Sequence, residues 1–117
     1  MNQPVAIQFS VIEPKSSCKV SGDMTFATAA SELELAAPLI RDAQSLRFDL
    51  SGVTQADSAG VALLIEWQHL AKSAACRLCY SNLPESLVAM IRVAGVQGML
   101  PVIVNEFTPA HFQSKPN

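Results

Sequence analysis

Short apolar runs with strand character alternate along this chain with helix-forming stretches, and that alternation restricts the fold more than any other feature. From Val5 to Glu13 apolar and polar residues alternate, with Val5, Ile7, Phe9 and Val11 on one face, the period-two pattern of a strand. Pro14 to Ser17 reads as a turn, and Cys18 to Ser21 as a second short strand ending at Gly22-Asp23. Thr28 to Ala37 is rich in Ala, Glu and Leu and predicts a helix. Its start is either Ser31, which with Glu34 fits a capping box, or Thr28. Pro38 is expected to end or kink it. Leu46 to Leu50 predicts a strand, Ser51 to Asp57 a loop, Ser58 to Ala75 a long helix and Arg77 to Ser81 a strand. Pro84 to Ala94 predicts another helix, with Pro84 in its first turn and Gly95 as its cap. Met99 to Val104 reads as a last short strand, and Thr108 to Asn117 as a loose tail beyond a domain at 1–107. Strands alternating with helices predict an α/β layer fold with a mostly parallel sheet.

With 117 residues there is room for one domain. Half of them are hydrophobic, enough for a core without help from metals or disulfides, and only 15% are charged, which leaves apolar surface to be covered by a partner. The net charge is −2 and there is no run of Lys or Arg, so nucleic acid is not an expected ligand. The longest apolar run, Val61 to Ile65, is far too short to span a bilayer, and the first residues lack the basic start and apolar stretch of a signal peptide. The expected location is the cytoplasm, with any membrane association indirect, through another protein. Three cysteines, an odd number, argue against a disulfide framework.

The helix from Ser58 carries two patterns. At about 100° per residue, Leu63, Leu64, Trp67, Leu70, Ala71 and Ala74 form one stripe, the expected core face, while Glu66, Gln68, His69, Lys72 and Ser73 lie opposite. Val61, Ala62 and Ile65 fall on the polar side, near Ser58 in angle. Either a loop covers them or they form a contact patch for a partner. Ser58 opens the helix, where its hydroxyl is placed to cap free N–H groups and where an added phosphate would meet the positive helix end.

Other chemistry finds little support. Cys76 and Cys79, if they continue one strand, point to opposite faces, and no second pair completes a metal site. Trp67 belongs to the core stripe, its indole N–H seeking an acceptor. A Ser58–His69 catalytic pair would have to reach across roughly 16 Å of helix. Asp57 suits the start of a helix and Asp49 a strand, rather than a metal. Gly52 and Gly60 are isolated and form no phosphate-cradling loop. No cofactor or metal is expected.

The segments Asp49-Leu50-Ser51-Gly52-Val53 and Asp57-Ser58-Ala59-Gly60, followed by an apolar helix, resemble the STAS family, named for sulfate transporters and anti-sigma factor antagonists. Val20-Ser21-Gly22 upstream and Asn82-Leu83-Pro84 downstream extend the resemblance over nearly the whole chain before the tail. It implies a four- or five-stranded mixed sheet with helices packed mainly on one side. In the anti-sigma antagonists the residue matching Ser58 is phosphorylated by a partner kinase. Gly22-Asp23-Met24-Thr25-Phe26-Ala27-Thr28 and Leu63-Leu64-Ile65-Glu66-Trp67 look more like the branch that serves the Mla phospholipid transporter, and Thr25 stands where anti-sigma antagonists tend to carry Asp. That resemblance implies a non-enzymatic adaptor on the ATPase of an inner-membrane ABC transporter, peripheral to the membrane through its partner. The alternative it implies is an anti-sigma factor antagonist switched by a serine kinase at Ser58. The expected interface is Ser58 with Asp57, Ala59, Gly60, Val61, Ala62, Ile65 and His69. Self-association of isolated copies through the same patch stays open.

Overall fold

The computed structural model describes residues 8–12 and 17–103, apart from the side chains of Val11, Ile12 and Ile103. The expectations placed on Val5, Ile7, the turn from Pro14 and the tail lie outside these residues. The elements run β1 (Gln8–Ile12), β2 (Ser17–Met24), α1 (Ala29–Arg41), β3 (Ser45–Ala56), α2 (Ser58–Ser73), β4 (Arg77–Ser81), α3 (Glu85–Ala94), a 3₁₀ turn (Gln97–Met99) and β5 (Val102–Ile103). The strands form one sheet in the order β1-β2-β3-β4-β5. β1 pairs antiparallel with β2, and every later neighbour pairs parallel. Each parallel step returns through a helix. Right-handed crossovers that all move in one direction place their helices on one face. The helices accordingly form one layer, with α2 in the middle touching both α1 and α3. This is the mixed sheet with one-sided helices expected from the sequence.

The alternation in the strands shows which face is covered. Leu46, Phe48 and Leu50 of β3 and Leu78 and Tyr80 of β4 are buried, whereas Arg47, Arg77 and Lys19 are exposed. Trp67 is the largest fully buried side chain. Its ring meets Phe48 edge-on, with centroids 5.0 Å apart, and Phe9 at 5.8 Å. The Tyr80 hydroxyl donates to Leu64 O at 2.6 Å, tying β4 to α2. Burying such a side chain is worth about 1.5–3 kcal/mol each. The acceptor expected for the Trp67 indole is not there: Nε1 is buried without a hydrogen-bond partner among the described residues.

Several boundaries differ from expectation. Ser51 to Ala56, expected as a loop, continues β3, and β2 extends to Met24 beside it. The register shifts between Lys19 and Ser21 and again between Gly22 and Asp23, with one extra β3 residue at each shift, so β3 bulges against β2. Gly52 permits this approach: a Cβ there would lie 2.6 Å from Ser21 Oγ and 2.9 Å from Val20 O. The Ser-Gly pair that looks like a turn is a close strand contact.

α1 begins after Thr28, not at Ser31, whose hydroxyl instead donates to Thr28 O at 3.1 Å. It runs past Pro38 to Arg41, since the extra turn buries Ile40 completely. α2 stops at Ser73 because Ala75 takes a left-handed conformation with φ of 56°, and the Cys76 N–H reaches back to Ala71 O at 2.8 Å. Pro84 is the N-cap of α3 rather than its first helical residue, and Gly95 closes that helix at φ of 72° as expected. The last strand is confined to Val102–Ile103 within the described residues, behind the 3₁₀ turn.

Candidate functional site

The sheet places the β3–α2 junction beside the end of β2. Asp57 forms that junction. It sits in extended backbone, its N–H donates to Met24 O at 3.2 Å, and its side chain caps α2 by accepting the Ala59 N–H at 2.8 Å through Oδ1. The other oxygen, Oδ2, accepts the Phe26 N–H at 3.1 Å. One carboxylate therefore starts α2 and staples the β2–α1 loop to it. The capping role expected of Ser58 belongs to Asp57, one residue earlier. Ser58 is the first helical residue, exposed, and its hydroxyl makes no hydrogen bond among the described residues.

On α2, Ser58, Ala62 and His69 are exposed and Ile65 is half-buried, and these positions share one face. Ala59 is half-buried beside them. Two residues expected in this surface are not there. Val61 is 6% exposed and belongs to the core cluster. Gly60 is buried against β2 and α3, where a Cβ would lie 2.9 Å from Met24 O and 3.5 Å from Leu87 Cδ1. Val61 was expected on the surface because the wheel of an isolated helix does not show what its neighbours cover, and Gly60 because it stands beside Ser58 in the segment that carries the resemblance. His69 pairs at 3.7 Å with Glu66, both side chains well exposed, a contact worth little.

Phe26 is missing from the expected interface. It is 87% exposed, a large apolar side chain on the loop that Asp57 holds against α2. The available signal was an aromatic residue in the Thr25–Thr28 turn, with no apolar period to place it in the core.

Beneath that loop is a second polar group that the sequence did not point to. Thr28 Oγ1 accepts the Thr25 N–H at 3.1 Å and lies 3.1 Å from Asp23 O and 3.2 Å from Thr25 O, to which it donates. One turn further on, Glu32 is 1% exposed, and neither carboxyl oxygen has a hydrogen-bond partner among the described residues. Burial first, and the neighbouring Asp23 as well, raise its pKa to about 7, against a smaller lowering by the Thr28 hydroxyl. Asp23 is itself buried and accepts from Thr54 Oγ1 at 2.7 Å. The spacing Glu32, Ala36, Ile40 puts Glu32 on the core stripe of α1.

The remaining candidates serve the fold. Asp49 Oδ1 accepts the Ser51 N–H and the Asn82 side chain, each at 3.0 Å. Burial pushes its carboxyl up, but these bonds and Lys19 outweigh it and hold the pKa below the ordinary value. Cys76 precedes β4, so strand alternation does not separate it from Cys79 as expected. Both line a groove of about 800 Å³ between α2 and β4, with Ile65, Gln68, Lys72 and Met99 among its walls. All three thiols are free and burial pushes each of them up, which disfavours the reactive thiolate. No group of three or more His, Cys, Asp or Glu able to hold a metal occurs among the described residues, and no helix among them is long and apolar enough to cross a membrane.

The unphosphorylated anti-sigma factor antagonist SpoIIAA is similar to this chain with a TM-score of 0.65, at 12% identity, over 87% of this chain and 90% of that one. The phosphorylated form of SpoIIAA, the Bacillus cell fate determinant, gives 0.60 at 12% identity over 87% and 93%. SLC26A9 gives 0.59 at 14% identity, covering 89% of this chain and 23% of that one. At such identities the likeness establishes the fold alone. No curated protein matches the sequence. The family model described as "Mlab, STAS domain" matches residues 13–103, which includes the Asp57–Ser58 junction and all three helices. The chain thus belongs to the STAS domain family, in its MlaB-type branch.

Proposed function

We infer that this chain is a non-enzymatic cytoplasmic adaptor that docks the start of α2 onto the ATPase of an inner-membrane phospholipid-transport ABC complex of the Mla type. The observation that carries this reading is the free face of α2. Ser58, Ala62, Ile65 and His69 recur at the spacing of a helix laid into a partner's groove, and Phe26 stands beside their first turn as an exposed aromatic. Aromatic side chains of this kind anchor interfaces. Asp57 acts as a positioning residue, fixing the loop and the helix start relative to each other before the partner arrives. The membership in the MlaB-type branch supports the choice of partner, and the adaptor would be peripheral to the membrane through that partner.

The test is affinity purification of the tagged chain from its native cells after solubilising membranes. Recovery of an ABC ATPase with its permease is expected, and Ile65→Asp is expected to abolish it while leaving the fold intact. Recovery of a serine kinase with phosphate on Ser58, and no transporter ATPase, would replace the adaptor with the phosphorylation-switched antagonist.

A further inference from the structure

We propose that Glu32 is a proton-binding site beneath the β2–α1 loop, and that its loss of a proton releases the loop's hold on Asp57 and loosens the face around Phe26 and Ser58. The proposal rests on the reading of that face as the docking surface, but the coupling lies within this chain and is measurable without any partner.

The connection is a continuous set of contacts. Thr28 links Glu32 to the loop. Its backbone O accepts the Glu32 N–H at 3.2 Å, and its hydroxyl has a single hydrogen, directed at Asp23 O or Thr25 O. The same oxygen accepts the Thr25 N–H. The next residue, Phe26, donates to Asp57 Oδ2. Protonated, Glu32 is neutral and leaves the Thr28 hydrogen where it is. Ionised, it is a carboxylate with no other donor in reach among the described residues, and a buried charge without a donor is costly. The available responses are to draw the Thr28 hydrogen away from the β2 carbonyl, or to move the start of α1 towards water. Both weaken the hold on the loop that carries Phe26, leaving it on the Thr28 and Ala29 N–H bonds to Thr25 O. The proton leaves to bulk solvent, so the step involves no other reactant.

The surroundings favour this reading. From β2 the facing charge is Asp23, which opposes a second negative charge. β1 and the Ser51–Ala56 half of β3 contain no ionisable residue, and the nearby Thr54 hydroxyl is engaged with Asp23. On α1 and α2, Glu34, Arg41, Glu66 and His69 line the cleft between the two helices, and Glu34, Arg41, Glu66 and His69 are exposed. Among the described residues no cation is placed to hold Glu32 ionised, and its pKa, raised to about 7, puts the transition near neutrality.

The test is a pH titration of the full chain by NMR between about pH 5 and 8.5, reading the Glu32 side-chain carboxyl carbon and the Phe26 and Ala59 amides. A Glu32 inflection near neutral pH is expected, with the same inflection at the Phe26 amide. Above it, exchange protection of Phe26 should fall on the order of tenfold relative to the intrinsic rate, as in local opening. His69→Gln should leave the Phe26 inflection in place, and Glu32→Gln should remove it. A Glu32 carboxyl that titrates in the ordinary carboxylate range overturns the proposal, and that reading needs only the unmutated chain. So does a Phe26 inflection that survives in Glu32→Gln. Neither result bears on which partner binds α2.

Discussion

Asp57 makes two hydrogen bonds from one carboxylate, and substitutions can separate them. Asp57→Ala removes both the cap on Ala59 N–H and the staple to Phe26 N–H. Loss of an N-cap costs about 1 kcal/mol. A bond to a charged acceptor is worth about 1.5–3 kcal/mol, but the Phe26 N–H lies at the surface where water replaces the carboxylate, so about 0.5–1 kcal/mol is the expected share. The total for Asp57→Ala is about 2 kcal/mol. Asp57→Asn retains an excellent N-cap but offers one acceptor oxygen and one amide donor in place of two oxygens. It keeps the bond to Ala59, turns a donor towards Phe26, and should cost about 0.5–1 kcal/mol.

Urea unfolding followed by Trp67 emission measures this directly, since Trp67 is the sole tryptophan and is fully buried. The order wild type, then Asn, then Ala is the expected result. Hydrogen exchange should show Phe26 equally unprotected in both variants and Ala59 unprotected only in Asp57→Ala. If Asn costs as much as Ala, or if Phe26 keeps its protection in Asp57→Asn, the division of labour between the two oxygens is refuted.

Other perturbations follow from single contacts. Ala75→Gly should raise stability by about 0.5–1 kcal/mol in urea unfolding, because the left-handed φ of 56° strains an L side chain and glycine carries no such penalty. Gly60→Ala should lower it by about 1–3 kcal/mol, since its Cβ would lie 2.9 Å from the Met24 carbonyl, a backbone atom with little room to yield. Glu32 has a folded-state pKa raised from 4.5 to about 7, so its contribution is fully present below about pH 4.5 and is lost as pH rises towards 7. Stability should therefore fall over that window, by at most about 3 kcal/mol at 1.36 kcal/mol per unit, and Glu32→Gln should abolish this part of the slope in denaturation curves taken at several pH values.

The sequence made the layer order legible because strand and helix periods differ and the segments carrying them are short and well separated. It also located the core stripe of α2, since Leu63, Leu64, Trp67 and Ala71 need only one helix to define them. What it missed depends on contacts between elements. Ser51-Gly52 carries turn chemistry locally, and only the approach of β2 makes it strand. Val61 lies on the polar side of an isolated wheel and is buried because α2 sits in the middle of the helix layer. Asp57 was recognised as a residue suited to a helix start, but its second bond spans 31 positions to Phe26 and has no local signature. Glu32 occupies an apolar register position on α1, a conflict visible in the 4-residue spacing to Ala36 but explained only by the burial around it.

The placement of the cap bears on how the site works. A serine that caps its own helix has its oxygen committed to a backbone N–H, and any partner or modifying group must compete with that bond. Here Asp57 supplies the cap, so the Ser58 hydroxyl faces solvent with its donor and acceptor both available. The same aspartate fixes the Phe26 loop, so the polar and the apolar residue of the proposed docking face are held together by a single side chain. Stability and recognition then separate: Ser58→Ala should leave urea unfolding within about 0.5 kcal/mol of wild type, as a surface substitution does, while weakening partner capture. An equal loss of both would place the cap on Ser58 and contradict the geometry of the junction.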